Sequence, residues 1–236
     1  MLKLTTLLIT VTLFSFNLYA ARALPEFSAR YAVQKFGMKV AEAHYKLKHT
    51  DSGYKYSEKT QVSGFASLFR DDTVTAVSYI DDIDGELLLR KHSHIQTGGE
   101  KNKNEKFSIQ WDTSSKPIKG KITGTVRGKD IDLETDTPIW EILSFQVPLM
   151  IQASEDVKQY PYNAILKGKI DTYNFVLTSK KMITFADRQY KTLHIVRSDP
   201  DRDRQLHIWI APELHNIPVI IENYHDGKEF SRIELE

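Results

Sequence analysis

The feature that most constrains this chain is a period of two in its apolar residues. Such an alternation puts successive side chains on opposite faces of a β-strand. Phe27, Ala29, Tyr31 and Val33 share one face, as do Ala41, Ala43, Tyr45 and Leu47, with Glu42, His44 and Lys46 on the other. Phe36-Gly37-Met38 lies between the two runs and suits a tight connection, because glycine accepts a positive φ. An N-terminal hairpin is predicted.

The pattern recurs at residues 54–62, 73–80 and 87–95, and in Phe107, Ile109 and Trp111. Residues 81–85 end in Asp-Gly, a strong hairpin signal, and Asp226-Gly227 gives a second. Residues 118–127 and 129–133 are short and punctuated by glycine, which suits a sheet edge. Further runs fall at 160–169, 172–178, 182–185, 189–197, 204–211, 218–225 and 229–235. About a dozen strands with turns at roughly 8- to 12-residue spacing predict a mainly β fold. The expected form is an antiparallel sheet curled into a half-barrel or barrel-like shape.

Residues 137–151 break the period. Asp136 and Thr137 are N-cap candidates, and Pro138 fits a first helical turn. Trp140, Leu143, Met150 and Ile151 form a helical stripe, and Pro148 is expected to kink or divide the helix near Gln146 and Val147. The reading is one central helix packed on the sheet.

The first twenty residues have the form of a secretory signal peptide. Lys3 supplies the positive start, Leu4 to Leu18 carry no charge, and Ala20, Ala21 and Ala23 provide small residues for cleavage. Cleavage is expected after Ala20, with Ala23 as the alternative. The apolar run is shorter than the roughly 20 residues of a spanning helix and holds four threonines. The mature form is therefore expected to lack a transmembrane anchor. A lipid anchor at the cleavage site needs a cysteine, and the chain has none. Residues 21–236 show no repeat or linker and read as a single β-rich domain, large enough to build a core without disulfides.

Charge is balanced, with 32 Lys+Arg and 31 Asp+Glu. No basic field is available to hold nucleic acid. Catalytic motifs are missing: there is no G-x-S-x-G elbow, no H-E-x-x-H and no phosphate-binding glycine loop. His92 and His94 share a strand face but have no third ligand fixed by spacing, so a solvated face is expected and no metal or cofactor is predicted. His194 and His207 read as isolated residues on strands. Trp140, Phe145, Trp209 and Tyr224 are the candidate lining of an apolar ligand cavity, against the alternative that they are core.

The C-terminal stretch carries a resemblance. Trp209-Ile210-Ala211-Pro212, then Pro218-Val219, then Asp226-Gly227 resembles the W-[LI]-A-P…P-V…DG pattern of the bacterial domain of unknown function 3108 family. The opening Phe27–Tyr31 with Gly37 and Ala41–Ala43 is similar to that family's first hairpin, and the segment from Asp136 to Leu149 resembles its central helical segment. The signature residues are thus Trp209, Ala211, Pro212, Pro218, Asp226 and Gly227. The resemblance implies an exported, mostly Gram-negative, β-rich protein and supplies no reaction.

The expectation is a periplasmic, non-enzymatic cell-envelope factor that binds an apolar ligand, a lipid or a partner protein. The alternatives are an assembly module with no small-molecule site and an envelope-polymer hydrolase using a carboxylate pair. A filled sheet interior would favour the assembly module over the carrier. Oligomeric state is not legible in the sequence.

Overall fold

The computed structural model describes residues 23–64, 67, 72–98, 102–185, 187–199 and 203–236. The export signal assigned to residues 1–20 lies outside the described residues, and Ala23 is the first of them. The strands are β1 (Phe27–Lys35), β2 (Met38–Thr50), β3 (Gly53–Val62), β4 (Thr73–Ile83), β5 (Glu86–Thr97), β6 (Glu105–Asp112), β7 (Lys119–Val126) and β8 (Lys129–Thr135). After them come β9 (Ile139–Trp140), β10 (Gln159–Leu166), β11 (Lys169–Phe185), β12 (Arg188–Asp199), β13 (Arg204–Ala211), β14 (Ile217–His225) and β15 (Lys228–Leu235).

All fifteen belong to one sheet, ordered β8-β7-β6-β5-β4-β3-β2-β1-β15-β14-β13-β12-β11-β10-β9. The chain therefore makes two meanders that meet where β1 pairs antiparallel with β15, Tyr31 opposite Leu235. The two edge strands, β8 and β9, are separated by only three residues of chain. The sheet curls into a nearly closed barrel. The expected fold class holds, but the count is fifteen strands rather than about a dozen. The two short runs at 118–127 and 129–133 do form β7 and the edge strand β8.

Five hairpins turn on the same two-residue device. Phe36-Gly37, Asp84-Gly85, Arg127-Gly128, Lys167-Gly168 and Asp226-Gly227 each have positive φ at both positions. That backbone matches the right-handed twist of the flanking strands. Gly85 has φ 87 and Gly227 has φ 70, so both Asp-Gly signals read from the sequence are turns of this type.

The barrel interior is packed. Leu47, Ile80, Leu89, Ile122, Ile139, Leu149, Phe175, Leu193, Ile195, Ile208 and Ile210 are fully buried in one continuous cluster. Each such side chain contributes about 2 kcal/mol on removal from water.

The helix differs from the expected one. Ile139 and Trp140 form the short strand β9, parallel to β10. Turns follow, and helix α1 spans only Gln146–Gln152. Pro148 explains the late start. It is the third helical residue, where the N–H has no intrahelical partner in any case. A helix running from Thr137 through Pro148 would lose a hydrogen bond and clash in its interior. Pro148 thus places the helix start instead of kinking a longer helix. Gln146 through Met150 are all buried, so α1 plugs the barrel as anticipated.

The other end of α1 is held by a distant turn. Asn216 Nδ2 donates to the Met150 carbonyl at 2.7 Å and to the Ala153 carbonyl at 3.0 Å. Carbonyls at a helix C-terminus lack intrahelical partners, and this side chain supplies two donors to them.

Candidate functional site

Three regions carry chemistry beyond packing: a cleft at the plugged end of the barrel, a buried carboxylate behind it, and a histidine-aromatic row on the outer wall.

The cleft has a volume of about 460 Å³. Trp140, Tyr54 and Tyr162 form its inner wall, with Leu87, Pro148 and Ile151 beside them. Asp82 near the end of β4 and Glu86 at the start of β5 stand at its rim, and Ala23 borders it. The Tyr162 hydroxyl donates to Gln152 Oε1 at 2.8 Å, which fixes this wall to α1. A second hollow of about 270 Å³ lies on the other side of Ala23, between Met150, Leu193 and His215. The segment from Ala23 to Glu26 is tied down at this end. His49 Nε2 lies 2.7 Å from the Leu24 carbonyl, and the His49 backbone N–H donates to Glu26 at 2.9 Å.

Immediately after Trp140 comes Glu141, 1% exposed. Its Oε1 accepts from the Ser78 hydroxyl at 2.7 Å and from the Ser144 backbone N–H at 2.6 Å. Its Oε2 accepts from the Leu143 N–H at 2.7 Å. His92 Nδ1 approaches Oε1 at 3.3 Å and the Ser78 hydroxyl at 3.0 Å. The Glu141 N–H donates in turn to Ser144 Oγ at 3.1 Å, closing a reciprocal cap of the capping-box kind. Burial pushes the Glu141 carboxyl upward, but His92, the Leu143 N–H and Ser78 together outweigh it and hold the group at about 2.

This set joins Ser, His and a carboxylate, yet it is not wired as a nucleophile triad. In such a triad the carboxylate and the hydroxyl engage opposite ring nitrogens. Here both meet Nδ1, and all three residues are at most 1% exposed. The chemistry it performs is anchoring. The expectation of a solvated His92 is corrected: the side chain faces inward because it opposes Ser78 and Phe107 across the sheet.

The residues proposed from the sequence fall into two groups. Trp140 lines the mouth cleft, and Phe145 lies just behind it in the core, stacked on Phe175 at 4.9 Å. Trp209 and Tyr224 are elsewhere. Ile208 and Ile210 point into the core, so Trp209 between them points outward. Trp209 lies flat on His194, with ring centroids 3.7 Å apart, and Tyr224 packs on His207 at 4.6 Å. The four do not line one cavity.

The signature residues have structural places. Ala211 is fully buried and ends β13, Pro212 opens a 3-10 turn to Leu214, and Pro218 follows the first residue of β14. The Pro218 carbonyl accepts from the Tyr31 hydroxyl at 2.8 Å. The same turn delivers Asn216 to α1. The Asn216 and Ser78–His92–Glu141 contacts were missed in the sequence, since Asn216–Met150 and Ser78–Glu141 each join residues more than sixty positions apart.

The fold and these sites define a β-barrel-like domain closed by a helical plug. The fold is similar to that of a solved β-barrel-like protein of domain of unknown function DUF1849 from Brucella abortus, with a TM-score of 0.58 and 11% identity. The match covers 91% of this chain and 97% of that one. The protein belongs to the family of unknown function DUF3108, which matches residues 26–227. No curated protein matches the chain.

Proposed function

We propose that this protein is an exported envelope factor that works by binding a partner protein, with the cleft beside Trp140 receiving an apolar segment of that partner. The observation that carries the reading is the filled barrel. Side chains from both meanders and from α1 occupy the interior, so the apolar-walled cleft at the mouth, not the barrel lumen, is open to solvent. A cleft of about 460 Å³ falls within the roughly 300–1,000 Å³ range of ligand sites. Its aromatic and proline walls suit inserted side chains better than a polar substrate.

The hydrolase alternative draws less support. Burial raises the carboxyls of Glu58 and Glu105, and neither lines the cleft. Along the sheet they are three strand spacings apart, with Ala76 and His94 between them. That is roughly 14 Å measured along the sheet at about 4.8 Å per spacing, so the two do not sit on neighbouring strands.

The test is site-specific photocrosslinking in the native envelope. A photoreactive residue replacing Glu86, at the cleft rim, is expected to yield a discrete adduct. One replacing Lys129, at the opposite end of the barrel, is expected to yield none. Equal adducts from both positions, or none from either, would sink the proposal. Native mass spectrometry on the same preparation distinguishes a lipid in the cleft from a protein partner. Export is checked by sequencing the mature N-terminus, expected to begin at Ala21.

A further inference from the structure

The outer wall of the second meander brings together two histidines that lie thirteen positions apart. His194 on β12 and His207 on β13 approach with His194 Nε2 and His207 Nδ1 3.2 Å apart. Their other ring nitrogens are each held by a partner. The Thr178 hydroxyl donates to the His194 carbonyl at 3.0 Å, so its oxygen is left to accept from His194 Nδ1–H at 3.1 Å. Gln205 Oε1 lies 2.8 Å from His207 Nε2 and, as a carbonyl oxygen, accepts from Nε2–H. These partners favour one pair of tautomers, in which the Ser179 hydroxyl, also near His194 Nδ1, is not its donor. With Nδ1 protonated on His194 and Nε2 protonated on His207, the two nitrogens that face each other both carry lone pairs.

Two lone pairs at that distance repel unless a cation engages both, either a shared proton or a metal ion set to one side of the line between them. The spacing suits a metal. Two imidazole nitrogens each about 2.1 Å from one ion, and about 100° apart around it, are separated by about 3.2 Å. Metal-bound histidines typically donate their remaining N–H to a carbonyl or similar acceptor, which fixes the ring and raises its basicity. Thr178 and Gln205 occupy those positions here. The β11 bulge sharpens the aim: Leu177 opposes Ile195 and Ser179 opposes His194, which leaves Thr178 as the extra residue. Both hydroxyls thereby reach His194, Ser179 at 3.3 Å.

We infer that His194 and His207 form a two-imidazole site for a divalent transition-metal ion, with Thr178 and Gln205 orienting the rings. Among the described residues no third His, Asp or Glu completes a protein-only ligand set. Water fills the remaining positions, and the site is an open one. Imidazole ligands favour copper, nickel and zinc over magnesium and calcium, with copper tightest. Lys181, whose ammonium lies 5.7 Å from the Trp209 ring, works against the ion. This inference is independent of the proposed role of the mouth cleft.

Trp209 supplies the readout, because it is stacked on a proposed ligand. Titrating the full-length mature protein with Cu²⁺ is expected to quench tryptophan fluorescence saturably at one equivalent. Zn²⁺ should compete, and Mg²⁺ should not. Electron paramagnetic resonance of the Cu²⁺ form is expected to show two equatorial nitrogens. His207→Gln and His194→Gln should each weaken binding by at least about tenfold, and Gln205→Ala by a smaller factor. Lys181→Gln should tighten it, an outcome that a folding defect does not produce. No saturable binding, which leaves only a shared proton between the rings, would overturn the inference. So would Cu²⁺ binding of equal strength in His207→Gln, which marks adventitious surface coordination.

Discussion

Replacing Glu141 with glutamine tests the reading of the buried anchor most directly. The carboxylate is held at about 2, against an ordinary value of 4.5. At about 1.36 kcal/mol per pKa unit, the charged form contributes about 3 kcal/mol to folding. The sign follows from the depressed folded-state value. The contribution is fully present above pH 4.5 and is lost as pH falls toward 2. Glutamine keeps the shape and one oxygen acceptor for Ser78 and Ser144. It turns an NH₂ toward the Leu143 N–H, placing donor against donor where Oε2 accepted at 2.7 Å. The expected loss at pH 7 is about 2–4 kcal/mol, in the range for a disrupted buried charged network. Urea denaturation followed by tryptophan fluorescence measures it, since Trp140 is the adjacent residue. The wild-type advantage should shrink steadily from pH 5 to pH 2, because only the wild type has this group to protonate. A gap below about 1 kcal/mol at pH 7, or one unchanged at pH 2, would refute the argument.

Other outcomes follow from the backbone and its caps. Asn216→Ala removes two donors from the end of α1 and puts alanine at φ 61; thermal denaturation should show a loss of about 2 kcal/mol. Gly124→Ala should cost at least that much by the same measurement, because at φ 149 a Cβ would collide with the backbone of Lys106 and Phe107. Phe36 is 70% exposed and holds φ 51 in the first hairpin turn; Phe36→Asn should raise stability by about 0.5 kcal/mol in urea titrations, since asparagine tolerates that conformation.

The strands and hairpin turns were legible because their causes are local. Alternation set the faces of β1 and β2, and Asp-Gly marked two turns before any tertiary contact was known. The helix was misplaced for an equally local reason. The stripe from Trp140 to Ile151 fits a 3.6-residue period, but the position of Pro148 decides which part of it can be helical. The candidate ligand residues scattered because aromatic content does not record which face of a strand it occupies. Trp209 sits between two inward isoleucines and so belongs to the outer wall. His194 and His207 read as isolated because their meeting depends on the register of β12 against β13. That register pairs His194 with Trp209 and Val196 with His207, and the sequence between β12 and β13 holds no glycine to signal it. A histidine on each arm of one hairpin was the available clue.

The buried carboxylate makes physical sense as part of barrel closure. A sheet of fifteen strands ends in two edges, and open edges invite pairing with other chains. Here the edges are β8 and β9, and the residues that join them lead directly to Glu141. Ile139 and Trp140 pair through the main chain with β10, in the second meander. Glu141 then reaches Ser78 on β4 and His92 on β5, in the first. Three consecutive residues therefore bind both halves of the sheet. A strand longer than β9 would seal the gap with backbone hydrogen bonds, but it would leave no chain to enter the barrel as a plug. A charged side chain with hydroxyl, imidazole and backbone donors makes the same connection within one residue. The desolvation cost is offset because every donor around the carboxylate is fixed by a strand or by the turn it caps. On this view Glu141 is kept charged for the same reason that α1 is short: the chain must cross from one edge to the other and fill the core on the way.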